Sequence, residues 1–371
     1  MNDRDEFLRD RLRPEQTGTR AERPPGPPPR DLPPIGPRPT PPPPQHGWQP
    51  APPPRPQPAA PPPLENWHTA DQGWRRMVRL ATFGLINPGP SATQRQDARF
   101  EATIQTALRG NHKVGVLGKG GVGKTSVAAS VGSIFAELRN QDRVVAIDAD
   151  TAFGRLSSRI DPQTTGSFWE LTADMNLRSF TDVIARVGRN SAGLHVLGGE
   201  PATGPRRVLD PAIYREAAFR LDRHFAISVI DCGSTMDAPV TQEVLRDLDA
   251  LIVVSSPWAD GASAAARTME WLSDRGLTRL LHNSIVVLND SDGHADKRTR
   301  ALLARAFIDR GRPVVEVPFD PHLRPGGVVD VSNEMALATR RKFLEVTATI
   351  TGYFAAQPER GRDRRPGDDK S

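Results

Sequence analysis

The sequence predicts an α/β protein in which a doubly wound, mostly parallel sheet carries helices on both faces. Three observations favour this fold class. Short, continuous apolar runs recur along the chain, as strands buried on both faces of a parallel sheet require. Helical patterns separate most of these runs, which is the rhythm of βαβ units. A glycine-rich segment, 118–125, follows the first apolar run and precedes a helical pattern, and such sheets bind ligands at the carboxyl ends of their strands.

The first 66 residues are expected to form a disordered Pro-rich arm. Of the 37 prolines, 23 lie before residue 64. This stretch has little apolar content to offset its ordering entropy, and its proline runs favour polyproline II. About 260 residues then remain, near the upper limit for one core. The sequence therefore predicts the arm over 1–66, a linker over 67–110, one globular domain over 111–357 and a disordered charged tail over 358–371.

Composition narrows the functional classes. The single cysteine, Cys232, excludes internal disulfides and a cysteine-ligated iron–sulfur cluster within one chain, and it fits a reducing cytoplasm. The sequence contains neither an apolar run of about 18 residues nor an apolar signal core, so we expect a cytoplasmic protein. A formal charge of +5 is more typical of a solvated arginine-rich surface than of nucleic-acid binding, which stays an alternative.

Residues 74–83 of the linker read as a basic amphipathic helix. Trp74, Met77 and Val78 would share one stripe, with Arg75 and Arg76 opposite. We interpret this segment as a short helix that packs on its own domain. Peripheral contact with the inner face of the membrane, or with a partner, is the alternative.

A second helix is predicted between the linker and the first strand. Ser91 and Gln94 fit a capping box. The spacing of the apolar residues that follow predicts a buried helical face that continues to the end of the linker. These residues are Phe100, Ile104, Ala107 and Leu108.

The segment 118–125 reads Gly-Lys-Gly-Gly-Val-Gly-Lys-Thr and fits the P-loop pattern. Its backbone N–H groups wrap a polyphosphate, and its glycines allow close approach. We expect Lys124 to reach the β- and γ-phosphates and the Thr125 hydroxyl to hold Mg²⁺. A strand at 113–117 and a helix after the loop supply the expected context, so the domain is predicted to be a P-loop NTPase. The predicted nucleotide-binding residues here are Gly118, Lys119, Gly120, Gly121, Val122, Gly123, Lys124, Thr125 and Ser126.

Three aspartates follow later apolar runs. Asp148 and Asp150 end the run that begins at Val144, and Asp231 ends the run that begins at Ile227. Carboxylates at these points hold Mg²⁺ through its waters and position the attacking water, although any one of them alone is also a plausible helix cap. We therefore predict metal roles for Asp148 and Asp231. The remaining predicted strands are 194–197, 251–254, 285–288 and 314–317.

Asn289 closes the predicted strand 285–288. GTPases place Asn-Lys-x-Asp at this point to read guanine. This chain has Asn289, Asp290, Ser291 and Asp292, without the lysine. The pattern favours adenine, and hence ATP, over guanine.

Over roughly 113–356 the chain resembles the deviant Walker A ATPases of the MinD/ParA superfamily. The residues that carry this resemblance are the loop 118–125 and then, in this order, Asp148, Asp150 and Asp231. The resemblance implies a dimer that sandwiches ATP, in which Lys119 of one subunit reaches the ATP of its partner. It also implies that Asp150 helps to activate water. Lys119, Lys124 and Asp150 are thus the expected catalytic residues. The likeness further places Pro318 and Asp320 near the adenine.

Other segments resemble the EspI-like group of MinD-like proteins from actinobacterial type VII (ESX) secretion loci. They are 73–75, 87–91, 108–110 and 320–327. This likeness implies an association with secretion or its regulation. The Pro-rich arm would then be a tether or docking ligand for components of the secretion apparatus, or a plain spacer.

The chain also departs from the superfamily. MinD and ParA proteins usually carry an asparagine shortly after the residue matching Asp150, whereas this chain has Phe153, Gly154 and Arg155. We therefore expect slow hydrolysis. The predicted function is an ATP-binding, slowly hydrolysing dimerisation switch. The alternatives are a ParA-like ATPase that binds non-specific DNA and a nucleotide-binding scaffold without significant turnover.

Overall fold

The computed structural model describes residues 91–150, 154–199 and 207–357. The predicted arm over 1–66, the amphipathic segment 74–83 and the tail over 358–371 lie outside the described residues. The described part is the α/β core together with the helix that precedes its first strand.

One sheet of eight strands, parallel except at one edge, organises the described residues. Its order is β3-β4-β2-β5-β1-β6-β7-β8, and only the β3–β4 pair of this sheet is antiparallel. The predicted strands and the fold class are confirmed. The strands are β1 (His112–Gly118), β2 (Val144–Ala149), β3 (Gly188–Arg189), β4 (His195–Leu197), β5 (Ile227–Cys232), β6 (Ala250–Ser255), β7 (Ser284–Asn289) and β8 (Val314–Val317).

Helices cover both faces of this sheet. Within the described ranges none of them has the length and apolar character needed to cross a membrane. The helices are α1 (Ala92–Ile104), α2 (Lys124–Leu138), α3 (Leu156–Ile160), α4 (Phe168–Ala173), α5 (Phe180–Ile184), α6 (Pro211–Asp222), α7 (Pro239–Asp247), α8 (Ala259–Asp274), α9 (Thr278–His282), α10 (Lys297–Ile308) and α11 (Leu337–Ala355).

The core consists of two apolar layers, one on each face of the sheet. Side chains alternate between the layers along each strand, so Val116 of β1 packs in one layer and Leu117 in the other. The first layer includes buried residues of α2 and α11, and the second includes those of α6, α7 and α8. Because both faces are covered, the strands are buried along their length and read as continuous apolar runs.

The helix α1 begins as predicted but ends earlier. Ser91 and Gln94 form the capping box. The helix stops at Ile104, and the prediction that its buried face includes Ala107 is wrong, because Ala107 is exposed beyond the helix end. The buried guanidinium of Arg139 donates hydrogen bonds to the carbonyls of Ile104 and of Thr106, the latter at 2.8 Å. These bonds satisfy backbone acceptors at the helix end, where helical bonds are no longer available.

Candidate functional site

The glycine-rich loop joins β1 to α2 at the carboxyl edge of the sheet. Gly121 and Gly123 have φ angles of 85° and 89°, a left-handed conformation that side chains with a Cβ rarely adopt. A Cβ on Gly118 would collide with the carbonyl oxygen of Val254 on β6. The loop's own geometry therefore requires glycine at these three positions. The first N–H groups of α2, which lack acceptors within the helix, follow directly.

The two lysines of the loop differ in their surroundings. Lys124 is buried, and its Nζ lies 3.4 Å from the carbonyl oxygen of Lys119. The Lys119 side chain is half exposed, and its Nζ lies 2.7 Å from Oδ2 of Asp260 in the first turn of α8. Lys124 is thus held within the loop, whereas the Lys119 ammonium group lies at the surface on an acidic residue of its own chain.

Two buried carboxylates lie side by side next to this loop. Asp148 on β2 and Asp231 on β5 are register partners on neighbouring parallel strands. The Asp148 oxygens accept hydrogen bonds from the N–H groups of Asp150, at 3.3 Å, and Leu156, at 3.0 Å. The Thr125 hydroxyl bonds to Asp231. The structure therefore brings Thr125, Asp148 and Asp231 to one place.

The electrostatics of this pair fit a cation. Burial raises the pKa of Asp148 to about 8, and the charge of Asp231 adds to this effect. Burial also raises the pKa of Asp231 to about 6. Among the described residues, Oδ1 of Asp231 is buried without a hydrogen-bond partner. A divalent cation would satisfy this oxygen and offset the repulsion between the carboxylates.

The donor set is that of a magnesium site shared with a ligand. The described ranges contain no cluster of three or more His, Cys, Asp or Glu side chains that would hold a metal by itself. Mg²⁺ favours one or two carboxylates together with phosphate and water oxygens. The Thr125 hydroxyl and the carboxylates of Asp148 and Asp231 fit this pattern, provided that a polyphosphate occupies the loop.

Asp150 directly follows the last residue of β2, two residues after Asp148. It is half-buried, and its Oδ1 is close to the backbone at Gly233, two residues after Asp231. The residues 153–155 stand where MinD and ParA proteins usually carry an asparagine. Phe153 lies outside the described residues, and Gly154 and Arg155 are exposed. A Cβ on Gly154 would collide with the carboxylate of Asp148. The backbone at Gly154 therefore packs closely against the Asp148 carboxylate.

A cavity of about 260 Å³ extends from the loop to the ends of β7 and β8. Its wall includes several residues that the sequence assigned to nucleotide binding, so the structure brings the phosphate-side and adenine-side predictions together. They are Gly121, Gly123, Ser126, Asn289, Pro318 and Asp320.

Two of these cavity residues also support the backbone. Asn289 is buried, and its side-chain amide donates to the Val122 carbonyl oxygen at 2.9 Å. The two oxygens of Asp320 accept from the N–H groups of His322 and Ala336, both at 3.0 Å. A direct contact of Asn289 or Asp320 with a base stays a prediction.

Sequence reasoning missed two residues that touch the site. Asp260, the partner of Lys119, is one acidic residue in the first turn of a helix, and no sequence pattern links it to a lysine in another loop. Arg159 of α3 is buried and donates to Ser126 next to the loop. Its position gave no signal either, since arginine is more often a surface residue.

Comparison with known proteins agrees with this geometry. Residues 115–326 match the model of the CobQ/CobB/MinD/ParA nucleotide-binding domain. The ESX-1 secretion-associated protein EspI of two Mycobacterium tuberculosis strains is 30% identical over 289 residues, which cover 77% of this chain and 43% of that protein. The chain therefore spans less than half the length of these curated relatives.

Solved structures share the fold. The cell division ATPase MinD of Pyrococcus furiosus is 18% identical with a TM-score of 0.52, over 65% of this chain and 99% of that chain. The septum site-determining protein MinD of Pyrococcus horikoshii OT3, complexed with Mg-ADP, is 18% identical with a TM-score of 0.50, over 64% and 94% of the two chains. At this identity the likeness concerns the fold alone.

Proposed function

The chain belongs to the CobQ/CobB/MinD/ParA nucleotide-binding family, and we propose that it is an ATP-driven dimerisation switch that hydrolyses ATP slowly. The observation that carries this proposal is the different exposure of the two lysines of the loop. Lys124 is buried beside the carboxylate pair, whereas the Lys119 ammonium group is exposed. An exposed ammonium group such as that of Lys119 is accessible to the nucleotide of a second subunit, whereas the buried Lys124 is accessible only to the nucleotide of its own loop.

Each residue of the site has a defined part in the proposed ATP complex. The loop N–H groups and Lys124 bind the β- and γ-phosphates. Thr125, Asp148 and Asp231 hold Mg²⁺, which when bound neutralises charge on the phosphate oxygens. Asp150 orients a water molecule, whose oxygen attacks the γ-phosphorus and whose proton passes to the Asp150 carboxylate and then to solvent. The bond from the γ-phosphorus to the bridging oxygen breaks, and ADP and phosphate leave.

The exposed position of Lys119 supports the proposed dimerisation. In the proposed dimer its ammonium group leaves Asp260 and binds the phosphates of the partner's ATP. The dimer then requires ATP, because without the partner's phosphates nothing replaces the ion pair that is given up. Hydrolysis separates the subunits, and the change of state alters which further partner is bound.

The 30% identity to EspI supports a role associated with ESX secretion. We infer that the Pro-rich arm over 1–66 acts as a tether or docking ligand for that apparatus. A pull-down of secretion components by the full chain, compared with a chain lacking 1–66, tests this role. Equal recovery with both chains would contradict the role of the arm.

The ATPase claim is tested by steady-state ATP turnover of four full-length proteins. We expect Lys124→Ala and Asp150→Ala to lower kcat/KM by about a hundredfold or more, as removal of charge-stabilising groups does in other enzymes. Lys342→Ala, which removes an exposed ammonium group paired with Glu345 on α11, should match the native chain. Equal turnover in all four would show that the measured activity does not come from this site.

A further inference from the structure

A buried arginine lies behind the wall of the nucleotide cavity. Nη2 of Arg159 is 2.6 Å from Oγ of Ser126 and 2.8 Å from the carbonyl oxygen of Leu323, and Nη1 is 2.7 Å from the carbonyl oxygen of Gly327. The Val329 N–H donates in turn to the Arg159 carbonyl oxygen at 2.8 Å. One residue of α3 therefore joins α2 to the loop that follows β8.

The two elements that Arg159 joins meet in one part of the cavity wall, since a single nitrogen of Arg159 bonds to both. Ser126 follows Thr125 in the first turn of α2, on the phosphate side. Leu323 belongs to the loop over 320–329, on the side of Pro318 and Asn289. Ser126 and Leu323 both line the cavity, whereas Arg159 lies behind them. A shift of its guanidinium would therefore displace Ser126 and Leu323, two neighbouring parts of the cavity wall.

The charge of Arg159 has no acidic partner in the part of the chain that the structure describes. Its acceptors are a hydroxyl and two carbonyl oxygens. Burial lowers the pKa of its side chain, and no acidic group offsets this. A buried cation without a carboxylate is costly in free energy. A polyphosphate bound at the neighbouring loop would supply the missing negative charge.

We propose that Arg159 is a positioning residue for the nucleotide, because it holds Ser126 and the loop over 320–329 at the separation that a bound nucleotide requires. This inference rests on the proposed function. It assigns to Arg159 an effect on nucleotide affinity that is exerted through the cavity walls, without contact with the reacting atoms.

Arg139 supplies a matched control. It is also a buried arginine that donates to two backbone carbonyls, those of Ile104 and Thr106, and it differs from Arg159 in being paired with a carboxylate, that of Asp142. It follows the last residue of α2, so it lies about 20 Å from the P-loop end of that helix. Loss of either arginine should destabilise the fold, but only Arg159 should affect the nucleotide.

The experiment is a titration of a fluorescent ATP analogue with Mg²⁺ against the full chain, with the folded fraction of each variant measured by circular dichroism. Per folded molecule, we expect Arg159→Met to weaken binding by about ten- to a hundredfold, as the loss of charge-assisted hydrogen bonds does. The affinity of Arg159→Lys should fall between those of Arg159→Met and the native chain. In steady-state ATP turnover, this variant should show a raised KM and a kcat within about threefold of native. Arg139→Met should bind within about twofold of native.

Native affinity in folded Arg159→Met, or an equal loss in Arg139→Met, would overturn the inference. If Arg159→Met does not fold, Arg159→Lys decides, and an unchanged KM in that variant overturns it. Failure of the native chain itself to bind the analogue would overturn the proposed function and this inference together. As a further check, Ser126→Ala should weaken binding less in the Arg159→Met background than in the native chain, because the two residues act through one contact.

Discussion

The ammonium nitrogen of Lys119 lies 2.7 Å from a carboxylate oxygen of Asp260 within the same chain. The Lys119 and Asp260 side chains are 50% and 64% exposed. Ion pairs as exposed as this add little to stability, because water and salt screen them and two side chains lose freedom. The pair therefore holds the Lys119 ammonium group at the surface without preventing its transfer to another anion.

Removal of Asp260 should favour the dimer. In Asp260→Asn the intramolecular ion pair is lost, so Lys119 is released at no cost when a partner's phosphates arrive. We expect the ATP-dependent dimer to form at about two- to fivefold lower protein concentration, measured by sedimentation. Asp309→Asn, which removes an exposed ion pair with Arg305 on α10, should leave the dimer unchanged. Weaker dimerisation of Asp260→Asn would contradict the assigned role of the pair.

The buried carboxylates should make the stability of the ligand-free chain depend on pH. The raised pKa values of Asp148 and Asp231, about 8 and about 6, exceed those of the unfolded chain, near 4. The folded state therefore keeps protons that the unfolded state has released. Their contribution to the free energy of unfolding is full at low pH and is lost as the pH rises from about 4 towards 8.

Asp148→Asn isolates the contribution of Asp148, because asparagine does not titrate. In urea unfolding without Mg²⁺, the native chain should lose stability relative to Asp148→Asn between about pH 5 and pH 8. Adding ATP and Mg²⁺ should restore more stability to the native chain than to the variant, since the cation favours the charged carboxylate. If the free energies of unfolding of the native chain and of Asp148→Asn differ by the same amount at pH 5 and at pH 8, this account of the Asp148–Asp231 pair is refuted.

The start of β1 depends on a buried ion-pair cluster. Nζ of Lys113 is 2.8 Å from Asp222 and 2.6 Å from Asp247, at the ends of α6 and α7. Burial opposes its charge, but Asp247 and Asp222 outweigh this and raise the pKa of Lys113. Lys113→Met should cost about 3–5 kcal/mol in urea unfolding, because it leaves two carboxylates without their cation. The exposed-pair variant Lys342→Met should cost no more than about 1 kcal/mol. Similar losses in both variants would contradict this interpretation.

Gly123 should tolerate no side chain. Its φ is 89°, and a Cβ there would collide with the Asn289 amide that donates to the Val122 carbonyl. We expect Gly123→Ala to lower nucleotide affinity by at least about tenfold, because the loop backbone must shift away from Asn289. Gly352→Ala, in α11 where nothing lies within 4 Å of an added Cβ, should bind normally and be equally or more stable. Native affinity in Gly123→Ala would show that the loop adapts.

Local patterns predicted most of the fold. Each buried strand is marked in the sequence by a continuous apolar run. The P-loop can be recognised from sequence because its backbone requires glycine at fixed positions. The strand β3 was not predicted, since two residues paired antiparallel at the sheet edge are too short to form a run. The apolar spacing of α1 continues to Ala107, beyond the end of the helix at Ile104, where the exposed carbonyls bond to Arg139, far along the chain.

The site was predictable only where its residues follow a pattern in the chain. Asp148 and Asp231 each end an apolar run, but their pairing as neighbours depends on the strand order, which places β5 between β2 and β1. Asp260 and Arg159 meet the loop through tertiary packing alone. Residues that support a site from other elements carry no local signature, so the structure was needed to find them.

The central claim is that the chain dimerises when it binds ATP, and that this dimerisation depends on Lys119. Size-exclusion chromatography of the full chain tests it with four samples: the native chain with ATP, the native chain with ADP, and Lys119→Ala and Lys342→Ala each with ATP. The account predicts a dimer for the native chain and for Lys342→Ala with ATP, and a monomer for the other two. A native chain that stays monomeric with saturating ATP, or a Lys119→Ala variant that dimerises as well as the native chain, would contradict it.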